Sequence, residues 1–156
     1  MEGSGVFYGE YLHILDNKKR LIIPSRFRDV IKDKGIEKFY ITRGLEECIF
    51  MFPDSVWKTQ EKKFSEMAFT RKNVRSFQRQ FFGGAVDMTL DKQWRILIPD
   101  YLREYAKINK KVKMVGVSDR IEIWDVVKWE EFYANSKKDY ADIAELLGEE
   151  GSIDNR

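Results

Sequence analysis

One motif occurs twice in this chain, 75 positions apart, and the duplication restricts the possible folds more than any single residue does. The first copy runs Asp16, three residues, Arg20, the aliphatic triplet Leu21-Ile22-Ile23, Pro24 and then Arg28. The second runs Asp91, three residues, Arg95, Ile96-Leu97-Ile98, Pro99 and Arg103. At an offset of 72 the similarity continues: Gly44 meets Gly116, Ile49 meets Ile121, Phe52 meets Trp124 and Trp57 meets Trp129. Two similar units in one chain usually pack as a pseudo-symmetric pair. Each half reads as strand, loop, strand, short helix, strand, loop, strand and a longer helix.

Within the first half, Val6–Leu15 is apolar and aromatic and predicts a strand, with Gly9 marking a bulge or close approach. Asp16 opens a hairpin turn, because its carboxylate can accept nearby backbone N–H groups. Arg20 emerges on the returning strand, where Asp16 would hold its guanidinium in one direction, and Lys18 and Lys19 project at the tip. Pro24 cannot sit in a strand interior but suits a first helical turn, so a short helix is expected from Ser25 to Lys32, ended by Gly35. Phe39–Ile41 and Ile49–Phe52 predict a second hairpin. Asp54 and Thr70 are placed to cap two connector helices, the second with a basic ridge of Arg71, Lys72 and Arg75 opposite its apolar stripe. The second half repeats this order. Ile121–Trp124 alternates as a half-buried strand with one wet face, and Asp125 caps a final helix that Gly148 ends.

A half of about 45 residues sits near the size at which a domain cannot bury enough surface to fold alone. Its hairpins would also leave unpaired edges. Both difficulties disappear if the hairpins of one half complete the sheet of the other. The fold class expected is therefore α+β, a small closed barrel with a pseudo-twofold axis, decorated with helices. Residues 5–82 form the first repeat and its connector helices, 83–148 the second repeat and its final helix, and 149–156 a mobile acidic tail. The two repeats share one core.

The net charge of +2 conceals a polarised distribution. Residues 139–156 carry six acids against Arg156, a net of −5, which leaves +7 on the remainder. Residues 17–28 hold Lys18, Lys19, Arg20, Arg26 and Arg28 with no acid, and residues 71–79 hold Arg71, Lys72, Arg75 and Arg79 with none. Such clusters suit a polyanionic partner. The chain has no apolar run long enough for a bilayer. Met1–Gly5 has an acid and glycines where a signal peptide has a basic then apolar segment, so a cytoplasmic location is expected. Cys48 is the single cysteine and reads as core. There is no phosphate-binding loop, nucleophile elbow or zinc-spaced cluster, and no cofactor or metal is expected.

The paired Asp-x-x-x-Arg hairpins with their aliphatic triplets and prolines, the segment Gly116–Trp124, and Phe7-x-Gly9-Glu10-Tyr11 closely resemble the MraZ proteins of bacteria, over residues 5 to 147. The resemblance implies that the barrel is an AbrB-like swapped-hairpin barrel with both halves in one chain. It also implies a ring-shaped homo-oligomer and a nucleoid-associated transcriptional regulator. Such a regulator would bind short guanine-containing direct repeats in double-stranded DNA upstream of the division and cell-wall gene cluster. On this reading DNA is contacted by Arg20, Lys18 and Lys19 and by Arg95 and Lys92, oriented by Asp16 and Asp91. Lys19 and Trp94 stand where the family commonly has glycine, and Trp94 leaves the second tip less basic.

Two other readings use the same residues. Asp16 and Asp91, brought together by pseudo-symmetry, could form a carboxylate pair for hydrolysis, although an arginine four residues after each would keep both ionised. Alternatively the chain is an assembly scaffold that uses the aromatic faces of its final helices and needs no DNA. His13, the only histidine, lies within a strand and reads as structural.

Overall fold

The computed structural model describes the backbone of residues 6–154 and the side chains of residues 6–149. The readings of Met1–Gly5 and of the last acidic side chains lie outside those residues. The first repeat builds β1 (Phe7–Ile14), β2 (Arg20–Ile22), α1 (Ser25–Lys34), β3 (Phe39–Arg43) and β4 (Ile49–Pro53). Two connector helices follow, α2 (Asp54–Ser65) and α3 (Lys72–Gly83). The second repeat builds β5 (Val86–Met88), β6 (Arg95–Leu97), α4 (Asp100–Tyr105), β7 (Lys111–Ser118) and β8 (Ile121–Asp125). A division by compactness falls after the second repeat's last strand, giving units Met1–Val126 and Val127–Arg156.

In the first unit neither β1 nor β2 pairs within its own repeat. All pairing is antiparallel: β1 with β7, β2 with β6, β3 with β5 and β4 with β8, while β3–β4 and β7–β8 are hairpins. The main sheet has the order β1-β7-β8-β4-β3-β5, and β2-β6 form a separate two-stranded ribbon. Exchanging each strand for its counterpart, β1 for β5, β7 for β3 and β8 for β4, reads the sheet backwards. The order is therefore its own mirror under the repeat, which is the strand exchange expected of a swapped-hairpin fold. The pseudo-axis passes through the pair Leu21–Ile96 in the ribbon and Phe50–Glu122 in the sheet.

One core serves both repeats. Leu21, Ile23, Phe27 and Ile31 meet Ile96, Ile98 and Leu102 beneath the sheet residues Phe39, Ile41, Val112 and Met114. Phe27 of α1 meets Phe7 and Tyr11 of β1 edge-on, with ring centroids 5.4 and 5.1 Å apart. Both short helices start where the prolines predict: Pro24 and Pro99 hold extended ψ values of 145° and 151° and the next residue begins the helix. Gly35 closes α1 at φ 63°, the left-handed conformation glycine tolerates best.

Three expectations are corrected. β8 has no wet face: all five residues are buried, Glu122 included. Its position in the interior of the sheet explains this, and Glu122 is satisfied by Arg120 Nη2 at 2.8 Å and Trp124 Nε1 at 3.0 Å. Gly116 lies within β7, opposite Gly9, whereas its counterpart Gly44 follows β3. The caps also differ. Asp54 is the first residue of its helix after Pro53, and Lys72 the first of the next after Arg71, so neither Asp54 nor Thr70 takes the capping position; Val126 begins its helix directly after Asp125, whose carboxylate also accepts Asn109 N–H at 3.1 Å. Finally, the last helical segment is divided. α5 (Val126–Ser136) and α6 (Tyr140–Asp154) flank a 3-10 turn, Lys137–Asp139, and α6 runs past Gly148 rather than ending there. An interior helical glycine costs only about 1 kcal/mol relative to alanine, too little to terminate the helix.

On the outer side of β3 and β4, Trp57 stacks between Tyr40 and Phe81 at 5.0 and 5.3 Å, and Phe77 stacks on Phe81. Thr42 Oγ1 donates to Phe81 O at 2.6 Å. The connector helices are thus packed onto the sheet. In the second unit Trp129 lies against Phe132 and Tyr133 at 5.8 and 6.3 Å. No helix among the described residues is long and apolar enough to cross a membrane.

Candidate nucleic-acid interface

The two motif tips have the same geometry. At the first, Asp16 N–H donates to Arg20 O and Lys19 N–H to Asp16 O, both at 2.9 Å, closing a five-residue turn. Asp16 Oδ1 accepts Lys18 N–H at 2.9 Å and Arg20 N–H at 2.8 Å, and Oδ2 accepts Arg20 Nε at 2.8 Å. At the second, Asp91 Oδ1 accepts Gln93 N–H at 2.8 Å and Arg95 N–H at 2.9 Å, and Oδ2 accepts Arg95 Nε at 2.8 Å. Aspartate is required because one short carboxylate must reach two backbone donors and one side chain. The guanidinium is gripped through Nε, which leaves its Nη donors outside that bond.

The fourth tip residue is left-handed in both copies, Lys19 at φ 64° and Trp94 at φ 62°. Both non-glycine residues therefore adopt the conformation that a glycine would supply. Lys18, Lys19 and Lys92 are exposed. Trp94 does not extend beside them: it packs against the core, with Lys32 Nζ 5.4 Å from its ring centroid. A left-handed lysine costs roughly 1–2 kcal/mol, partly offset by the freedom glycine gains on unfolding. We expect Lys19→Gly to raise stability by about 0.5–1 kcal/mol. Urea unfolding measures this, and a fall in stability would show that Lys19 makes compensating contacts.

The Asp16 carboxyl is held below the ordinary carboxylate range, chiefly by the Arg20 backbone N–H; partial desolvation opposes this and the Arg20 guanidinium and Lys18 N–H add to it. At Asp91 desolvation pushes upward most, but the hydrogen bonds from Arg95 and Gln93 together outweigh it and the net shift is again downward. Two lowered carboxyls do not share a proton. Nor do they meet: the register Arg20–Leu97, Leu21–Ile96, Ile22–Arg95 places the tips at opposite ends of the ribbon. The paired-carboxylate expectation therefore has no geometry to support it.

That register has a second effect. Side chains alternate between the faces of a strand, and directly paired residues point to the same face. Leu21 and Ile96 point into the core, while Arg20, Ile22, Arg95 and Leu97 all share the outer face. Both arginines are thus displayed together, offset by roughly 7 Å along the ribbon. Their surroundings are clamped by the motif's second arginines: Arg28 Nε donates to Ile23 O at 2.8 Å and Arg103 Nε to Ile98 O at 3.3 Å. These carbonyls precede the prolines and lie where strand gives way to helix. Sequence reading left these arginines as unassigned basic residues; their fixed spacing after each proline was the available signal.

His13 is half-buried and its imidazole sits below the ordinary value of 6.5, because burial disfavours the cation and Arg28 repels it, with a hydrogen bond to the Ile22 backbone opposing. The unfolded chain takes up this proton near pH 6.5 while the folded chain resists it. Stability from neutral His13 is therefore complete above that pH and is lost as pH falls through the lowered value. Urea midpoints should drop from about pH 7.5 to about pH 5.5, and His13→Gln should flatten the slope. An identical slope in the variant would refute this.

The fold and site together define a strand-exchanged, two-repeat α+β protein that displays twin anchored cations rather than a reactive cleft. Comparison with known proteins is consistent with that class. The family model "MraZ protein, putative antitoxin-like" matches twice, over residues 6–80 and 81–147. A transcriptional regulator MraZ of Finegoldia magna is 46% identical over 144 residues, 92% of this chain and 98% of its own length. One from Moorella thermoacetica is 47% identical over 142 residues, 91% of this chain and 96% of its own. The chain belongs to the MraZ family, whose members are named as transcriptional regulators and not as enzymes.

Proposed function

We propose that this chain is a sequence-specific DNA-binding transcriptional regulator that reads duplex DNA with the outer face of the β2–β6 ribbon. The observation that carries the reading is the twin geometry of Asp16–Arg20 and Asp91–Arg95, each arginine held by its aspartate through Nε, with the Nη donors outside that bond. A two-stranded ribbon fits the major groove, and an arginine held this way can donate twice to guanine O6 and N7. Lys18, Lys19 and Lys92, at the ribbon's ends, suit the flanking phosphates, which position the protein without reading sequence.

One chain offers only a few such contacts, so its own affinity is weak. A ring of copies facing short guanine-containing direct repeats turns weak contacts into avidity. The resemblance to the family supports the ring, the direct repeats and a target upstream of the division and cell-wall genes, with the protein acting on the nucleoid in the cytoplasm. The basic first tip is consistent with a polyanion approaching from the ribbon side.

Titration of promoter fragments at two salt concentrations tests the proposal. Affinity should fall steeply with salt, and Lys19→Gly should lower the slope of log affinity against log salt by about 0.9, one phosphate contact. Binding that is insensitive to salt would overturn it.

A further inference from the structure

Each aliphatic triplet of the motif has one member that does not enter the core. Leu21 and Ile23 are 0% exposed and Ile96 and Ile98 are 2% and 1%, yet Ile22 is 37% and Leu97 59% exposed. Strand alternation forces one of three onto the outer face, but it does not require an aliphatic residue there. A serine or lysine would solvate that face at less cost. Both copies instead keep a large aliphatic side chain on it, and each lies directly across the ladder from the other tip's arginine: Leu97 opposite Arg20, Ile22 opposite Arg95.

We propose that Ile22 and Leu97 form apolar subsites for the 5-methyl groups of thymines adjacent to the guanines that the arginines read. This rests on the DNA-binding reading above and adds the base class it leaves open. In the major groove guanine presents two acceptors, whereas thymine presents an acceptor and a methyl group, the only large apolar feature there. Directly paired side chains on one face of an antiparallel ladder are about 5 Å apart at Cβ. Successive base pairs are about 3.4 Å apart along a strand. A guanidinium seated on a guanine therefore brings its cross-strand aliphatic partner to a neighbouring base step. Two cations with an aliphatic beside each thus select a guanine next to a thymine over a guanine next to a cytosine, which has no methyl group.

The experiment exchanges thymine for deoxyuridine, which removes the methyl group and nothing else. Duplexes are enriched from a random library by the full chain and resynthesised with deoxyuridine at the thymines flanking each guanine. The native chain should bind the uridine duplex about three- to fivefold more weakly for each methyl contacted. Leu97→Ser and Ile22→Ser, checked for retained fold by circular dichroism, should bind the two duplexes equally. The native-chain comparison requires no variant and is decisive alone. Equal affinity of the native chain for both duplexes, with Arg20→Ala lowering affinity at least tenfold, would overturn this inference and leave the DNA reading intact. Failure to enrich any duplex would remove both. Loss of self-association in Leu97→Ser, with thymine and deoxyuridine bound alike by the native chain, would assign the face to a second copy of the chain instead.

Discussion

Arg20→Ala is expected to lower affinity for duplex DNA at least tenfold while the sizing-column profile stays unchanged. A bidentate arginine–guanine pair is worth about 1–3 kcal/mol of discrimination, and each 1.4 kcal/mol is a factor of ten. The fold should survive, because the ion pair with Asp16 is partly exposed and such pairs contribute at most about 1 kcal/mol. Arg20→Lys should not restore affinity. A lysine ammonium cannot hold Asp16 through one donor and offer a planar two-donor edge outward with the rest. Asp16→Ala should weaken binding as well, although it removes no cation. It deprives Lys18 N–H, Arg20 N–H and Arg20 Nε of their shared acceptor, so the tip loses the order that aims the guanidinium. A titration of Arg20→Ala that matches the native chain at moderate salt would refute the DNA reading.

Gly116→Ala is expected to destabilise the first unit by about 3 kcal/mol, the upper range for overpacking. A Cβ at this position would lie 2.5 Å from Phe7 C and Tyr8 N and 2.8 Å from Phe7 O. These are backbone atoms of the paired strand and cannot turn aside as a side chain would. Among the described residues β1 pairs only with β7, in a register that sets Gly116 opposite Gly9, itself at φ 95°. The substitution must therefore open the β1–β7 ladder or shift it. Either outcome withdraws Phe7 and Tyr11 from Phe27 and moves the chain that leads into Asp16. Gly83→Ala is the matched control: it ends α3 and a Cβ there meets nothing within 4 Å, so stability should hold or rise slightly. Equal urea midpoints for the two variants would show that the close approach at Gly116 is relieved without cost.

Much of the local structure was legible from residue chemistry. Asp16 and Asp91 as turn-openers, Pro24 and Pro99 as helix starts and Gly35 as a helix end all act within a few residues of themselves. What was not legible required knowledge of the neighbours. Ile121–Trp124 alternates like a half-exposed strand, yet its position in the sheet interior buries Glu122 among Arg120 and Trp124. Gly116 aligned with a loop glycine, but its role is to admit the β1 backbone. Arg28 and Arg103 were legible as matching members of the two motif copies, but not that they hold carbonyls at the strand-to-helix corners.

The sequence by itself determined that this chain carries two equivalent tips and that each anchors an arginine, because aspartate, turn and guanidinium lie within five residues and satisfy one another locally. It also determined, through the size of one half, that the two repeats had to share strands. Only the tertiary structure decided that both arginines and the outer aliphatics Ile22 and Leu97 occupy a single face. That depends on the register in which β2 meets β6, and a slip of one residue would turn those side chains into the core. Register between strands 75 positions apart is set by how the whole core packs, so no short segment of the chain contains it.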